Sequence, residues 1–147
     1  MTSRTGWLTD VLIVACVVVL TPFVMMPLLT QANLLNRPVQ EVTARLDPDG
    51  VQRVRVVAHS FWFEPNRIVV TAGKPVEITV KNAAFLVPHN LTCFDKDAGI
   101  ELSENLGMFR GRKTARFTPS KAGEYEFYCH VGAHAKHGMK GKLVVVE

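Results

Sequence analysis

The segment Tyr128-Cys129-His130-Val131-Gly132-Ala133-His134-Ala135-Lys136-His137-Gly138-Met139 places one thiol, three imidazoles and one thioether in a single short stretch. Soft sulfur donors combined with imidazole are a ligand set for copper. Two histidines and one cysteine in a trigonal arrangement, with a weak axial methionine, hold copper for one-electron transfer. The stretch supplies Cys129, a histidine and Met139. A second histidine must arrive from elsewhere, and Val87-Pro88-His89-Asn90 is the candidate source.

Such donors need a scaffold that brings residue 89 against residues 129–139. From Val51 onward the chain reads as short strands separated by turns. Val51 to Ala58 is rich in valine, and Arg67 to Thr71 is a second short strand ahead of the turn Ala72-Gly73-Lys74-Pro75. Val76, Ile78 and Val80 alternate with Glu77, Thr79 and Lys81, the pattern of a half-buried strand. Leu91 to Phe94, Thr114 to Thr118 and Lys142 to Val146 read the same way, with a turn over 119–123. Tyr125, Phe127 and Cys129 alternate with Glu124, Glu126, Tyr128 and His130, so Cys129 lies on the core face of its strand. Strands at this spacing, with no long amphipathic helix, predict an all-β Greek-key sandwich or barrel. Cys93 shares a strand with Leu91 and Phe94 and has no second donor beside it, so it reads as a buried structural thiol.

Composition limits the function. Lys and Arg number 17 against 13 Asp and Glu, a formal charge of +4. That bias is too small, and lacks the aromatic-basic platform, for nucleic-acid binding. Cys16, Cys93 and Cys129 show no paired spacing, which argues against a disulfide framework. There is no Ser-His-Asp ordering and no phosphate-binding glycine loop. A four-ligand copper site leaves no open position, so neither an enzymatic activity nor a small-molecule substrate is expected.

The N-terminus reads differently. Val11 to Leu29 is apolar apart from Thr21, Pro22 and Pro27, and its nineteen residues can just cross a hydrocarbon core as a helix. A kink at Pro22 is tolerable in a membrane helix. Residues 1–32 are therefore expected to be a membrane anchor, with Trp7 near the interface. A cleaved signal peptide ending at Thr30-Gln31-Ala32 is the alternative, but the segment before the apolar run carries both Arg4 and Asp10 and the run exceeds a usual signal core. Either reading puts the rest of the chain outside the cytoplasm. Residues 33–50, with Asn33, Asn36, Pro38 and Asp47-Pro48-Asp49-Gly50, read as a tether, and residues 51–147 as the folded domain.

From Phe61 to Glu147, about three-fifths of the chain, the sequence resembles the cupredoxins, the plastocyanin and azurin class of blue-copper proteins. The resemblance rests on Phe63-Glu64-Pro65, Thr71-Ala72-Gly73-Lys74-Pro75-Val76, Pro88-His89-Asn90, Gly123-Glu124-Tyr125-Glu126-Phe127-Tyr128-Cys129 and Gly138-Met139-Lys140-Gly141-Lys142-Leu143-Val144-Val145. The loop spacing, C-x4-H-x4-M, is most similar to that of rusticyanin. The resemblance implies one copper ion held by His89, Cys129 and His134 with Met139 axial, and Asn90 tying the His89 strand to the cysteine loop. It also resembles oxidase subunit II, but Ala133 and Lys140 stand where a two-copper loop needs a second cysteine and a methionine. His137 is then expected to face solvent. His130, next to Cys129, points away from the copper side and reads as a surface residue.

Two basic groups stand out: Arg110, Arg112, Lys113 and Arg116, and Lys136, Lys140 and Lys142 beside the ligand loop. The second predicts an acidic docking patch on a redox partner such as a cytochrome or a membrane oxidase or reductase. The leading expectation is a one-electron carrier on the outer face of the cytoplasmic membrane. The alternatives are a cupredoxin subunit of a respiratory oxidase or nitric oxide reductase complex, and a copper-handling protein.

Overall fold

The computed structural model describes residues 37–147, and Val39–Glu147 form one compact unit. The expected membrane anchor lies outside the described residues. Among those described, no helix is long and apolar enough to cross a membrane. The strands in chain order are β1 (Glu41–Thr43), β2 (Arg45–Leu46), β3 (Gln52–His59), β4 (Trp62–Glu64), β5 (Arg67–Thr71), β6 (Val76–Asn82), β7 (His89–Asp95), β8 (Ile100–Gly107), β9 (Arg112–Phe117), β10 (Gly123–Tyr128) and β11 (Lys140–Val146). One sheet has the order β1-β5-β11-β10-β7-β8, and the other β2-β3-β6-β9 with β4 on β3. This is an all-β sandwich of two sheets.

Period-two patterning builds the core. Val54, Val56 and Ala58 of β3 and Val76, Ile78 and Val80 of β6 are buried, while the residues between them are more exposed. The opposite sheet answers with Ile68, Val70, Leu91, Ile100, Leu102, Phe127, Leu143 and Val145. Phe63 and Phe127 meet edge to face between the sheets at 5.4 Å. Each fully buried side chain of this kind contributes roughly 1.5–3 kcal/mol. Gln52 is buried on the core face as well, and its amide exchanges hydrogen bonds with the Thr71 carbonyl (2.9 Å) and N–H (2.7 Å). Its polar atoms are thereby satisfied, which makes the burial tolerable.

The stretch read as a tether is partly folded. Residues 41–43 pair in parallel with β5, residues 45–46 pair with β3, and the chain crosses between the sheets at buried Ala44. These pairings are long-range, and the local sequence carries no strand signal that would announce them. Strand β8 likewise carries no clean period-two signal in its sequence. Its Ile100, Leu102 and Leu106 face inward, but the polar Glu104 interrupts the alternation.

Register gathers the functional loops at one end. Tyr128, the last residue of β10, pairs with Lys140, the first of β11, and His89, the first of β7, pairs with Gly107, the last of β8. In the other sheet, the end of β3 pairs with the end of β6 at Ala58 and Asn82. The residue 129–139 loop, the His89 approach, the β3–β4 turn and the β8–β9 loop therefore share that end.

Candidate metal centre

Cys129, the first residue after β10, continues the inward face of Phe127 and is fully buried, as the alternation predicts. The loop then turns back on itself. His134 N–H donates to the Val131 carbonyl (3.1 Å), His137 N–H is shared between the Ala133 and His134 carbonyls (3.1 Å each), and Met139 N–H donates to the His134 carbonyl (3.0 Å). Cys129 N–H donates to the Met139 carbonyl (3.1 Å), which closes the loop at its base. Gly138 sits at φ +91°, a conformation that side chains avoid, and lets the chain reverse into Met139. Gly141, just beyond, leaves room for the Phe127 ring and the Asn66 carbonyl, which a β-carbon there would overlap.

His89 comes from the start of β7. A register irregularity between His89 and Asn90 explains why both side chains are buried, whereas strict alternation would turn one outward. Asn90 then makes two contacts. Its N–H donates to Cys129 Sγ at 3.4 Å, and its Oδ1 accepts from the His130 N–H at 2.8 Å. Asn90 thus ties together the two segments that carry the donors, alongside the pairing of Tyr128 with Thr92.

The result is a convergent donor set. Cys129 Sγ lies 3.9 Å from His89 Nδ1 and 3.5 Å from His134 Nδ1, and the three donor atoms all fall within 4.8 Å of one another. Burial, followed by the neighbouring His134, lowers the His89 pKa to about 4. Burial, followed by His137, lowers that of His134. Both imidazoles are therefore held in the neutral form that a metal requires. His89 Nε2 is buried with no hydrogen-bond partner among the described residues, so packing alone fixes the far side of that ring.

These residues fit a metal ion. Zinc–sulfur and zinc–nitrogen bonds of roughly 2.3 and 2.0 Å let one first-row ion span a sulfur and a nitrogen up to roughly 4.3 Å apart. Both Sγ–Nδ1 separations lie inside that limit. The chemistry of the set, one thiol, two imidazoles and the fully buried Met139 closing the loop, suits one copper ion.

The other candidates fall elsewhere. His137 is exposed and is not part of the cluster, although its ring lies 5.6 Å from Phe61. His130 is exposed, with Nδ1 3.0 Å from Thr92 Oγ1. Cys93 is 2% exposed, and burial pushes its thiol up to about 11, as befits an inert structural cysteine. Lys140 and Lys142 pair with Glu126 and Glu124, and Arg116 with Glu77. That leaves Lys136, Arg110, Arg112 and Lys113 without ion pairs among the described residues.

Two supporting residues escaped the sequence reading. Asn82 is fully buried, and its Nδ2 donates to the Val87 and Gly107 carbonyls at 2.9 and 2.8 Å, while its Oδ1 accepts from the Ala84 N–H. It thereby sets the approach to His89. Phe61 places its ring edge-on to His134, with centroids 4.9 Å apart. An asparagine at a strand end and an exposed phenylalanine carry no local pattern that separates them from ordinary turn residues.

Fold and donors together define a β-sandwich with a mononuclear copper-type centre at one end. The chain belongs to the cupredoxin-like domain family, whose model matches residues 21–145. Among solved structures it is similar to the metal-binding domain of the Cu(I)-exporting P-type ATPase of Streptococcus pneumoniae, with 29% identity and a TM-score of 0.57, covering 76% of this chain and 100% of that one. It is similar in fold to auracyanin A, a blue copper protein of Chloroflexus aurantiacus (21% identity, TM-score 0.54, 66% of this chain and 100% of that one). Reduced rusticyanin is similar in fold too (21% identity, TM-score 0.56, 76% and 87%). A comparison with curated proteins by sequence finds no match.

Proposed function

We propose that this chain is a blue-copper electron carrier in which His89, Cys129, His134 and Met139 would hold the metal. The observation that carries the proposal is the buried Cys129 sulfur with two imidazole nitrogens at 3.9 and 3.5 Å. Copper bound there supplies a one-electron Cu(I)/Cu(II) couple. The protein's part is to hold the donors so that neither oxidation state requires them to move. The Asn90 N–H donates to the sulfur and disperses charge on it, and the complete burial of Cys129 keeps water away from it. His134 is the half-buried donor, so a partner approaches the centre most closely at that ring. The apolar run over 11–29 would tether the domain to the outer face of the cytoplasmic membrane, as a single-pass anchor. Lys136, within the loop, would favour an acidic surface on a cytochrome, oxidase or reductase.

The test is redox cycling of the copper-loaded full-length chain. A visible thiolate band that bleaches with reductant and returns with oxidant, without release of copper, supports the carrier. A second reading, copper handling, draws on the 29% identity to the metal-binding domain of the Cu(I) exporter. A chain that binds Cu(I) but develops no thiolate band with Cu(II) would favour that reading instead.

A further inference from the structure

The turn between β3 and β4 places a phenylalanine where turn geometry favours glycine. Ser60 and Phe61 span the gap between His59 and Trp62, which pair directly across the hairpin. Phe61 stands at φ +68°. A positive φ at the second residue of a two-residue turn favours glycine or asparagine, and a bulky side chain there is strained. Strain of this kind persists only where the surroundings enforce it, and it gathers at functional sites.

The surroundings here are specific. His59 stacks flat on Trp62, with centroids 4.0 Å apart and planes 7° from parallel, and its Nε2 lies 3.0 Å from Glu64 Oε2. This brace crosses the base of the turn and fixes its tip. From that tip the Phe61 ring meets His134 edge-on at 89° and lies 5.6 Å from His137. Phe61 itself is 41% exposed, so core burial does not explain its residue type. His134 is the one imidazole of the three-donor cluster that is not fully buried.

We propose that Phe61 is a positioning residue for the metal centre: its ring braces His134 from the solvent side, holding the imidazole in its ligating orientation and shielding it from water. The inference rests on the reading of His134 as a ligand. It assigns no role in electron transfer to Phe61. The chain accepts a strained backbone in order to place an aromatic ring that a glycine could not supply.

The test uses the full-length chain and three variants. Phe61→Gly removes the ring and relieves the backbone, so the metal-free protein should melt at the wild-type temperature or above it. Its copper should pass to a competing chelator about tenfold faster, the lower end of the effect expected when a group supporting a metal ligand is lost. Phe61→Tyr should restore wild-type release. Phe61→Leu keeps the strain and the apolar bulk without the flat ring edge, and its release should fall between the two. This variant decides the matter if the glycine variant fails to fold. Wild-type release rates in both the Gly and Leu variants, with copper bound normally, would overturn the inference and leave the copper reading intact. A wild-type chain that takes up no copper would overturn both.

Discussion

Replacing Asn90 by alanine removes one side chain that ties together the two segments carrying the donors. Asn90 is 4% exposed, and its Oδ1 accepts a 2.8 Å hydrogen bond from the His130 N–H. Losing the acceptor forfeits this partly buried hydrogen bond, worth about 0.5–1.5 kcal/mol, and the vacated side-chain volume adds to this. We expect about 2 kcal/mol in all. For a folded unit of this size, 1 kcal/mol shifts the melting temperature by roughly 4 °C, so metal-free N90A should melt about 8 °C below wild type. The Asn90 N–H to Cys129 Sγ bond is made by the backbone and survives the substitution. The thiolate band should therefore keep its position while copper affinity falls about tenfold through looser positioning of the cysteine loop. The assays are thermal unfolding followed by circular dichroism and copper competition against a chelator. An N90A protein with unchanged melting and unchanged affinity would refute the tie. A lost band with unchanged melting would mean that Asn90 acts on the metal directly.

Three further outcomes are expected. His134→Ala should lose at least tenfold in copper affinity, whereas His137→Ala should bind copper as wild type does; the reverse order, read by chelator competition, would reassign the ligand. The Cys93 thiol is raised by burial from its ordinary 9 to about 11, so folding favours its protonated form. Its contribution is complete below pH 9 and is lost as pH rises through 11, by roughly 2–3 kcal/mol, and Cys93→Ala should abolish that alkaline slope in urea unfolding curves. Electron transfer to an acidic cytochrome should slow with ionic strength, and Lys136→Glu should slow it further at low salt; rates indifferent to both in stopped-flow measurements would remove the docking proposal.

The sequence disclosed the site more fully than the fold. Cys129, three histidines and Met139 stand close in sequence, and the alternation through Tyr125, Phe127 and Cys129 already orients the sulfur inward, but the choice of His134 over His137 rested on the resemblance of the loop to that of rusticyanin. His89 was legible through its Pro-His-Asn context, but the register irregularity that buries both His89 and Asn90 was not, because it arises only against β8. The strands at 41–46 exist through pairing with β5 and β3; they are only three and two residues long and lie between the breaker residues Pro38 and Asp47-Pro48-Asp49-Gly50, too short for a period-two pattern to show. The second basic group read as uniform, yet the glutamates of β10 neutralise Lys140 and Lys142 and leave Lys136 as its uncompensated member. Phe61 was hidden for a related reason. Its role depends on a backbone angle and on a ring that comes from 73 positions further along the chain.

The most direct measurement is a titration of the full-length chain with copper(II), followed by visible absorption and electron paramagnetic resonance. Saturation is expected at one copper per chain, with an intense blue thiolate band and a mononuclear copper spectrum, and the band should be absent in Cys129→Ser. A two-copper mixed-valence spectrum, or no thiolate band at saturation, would contradict the copper-carrier reading.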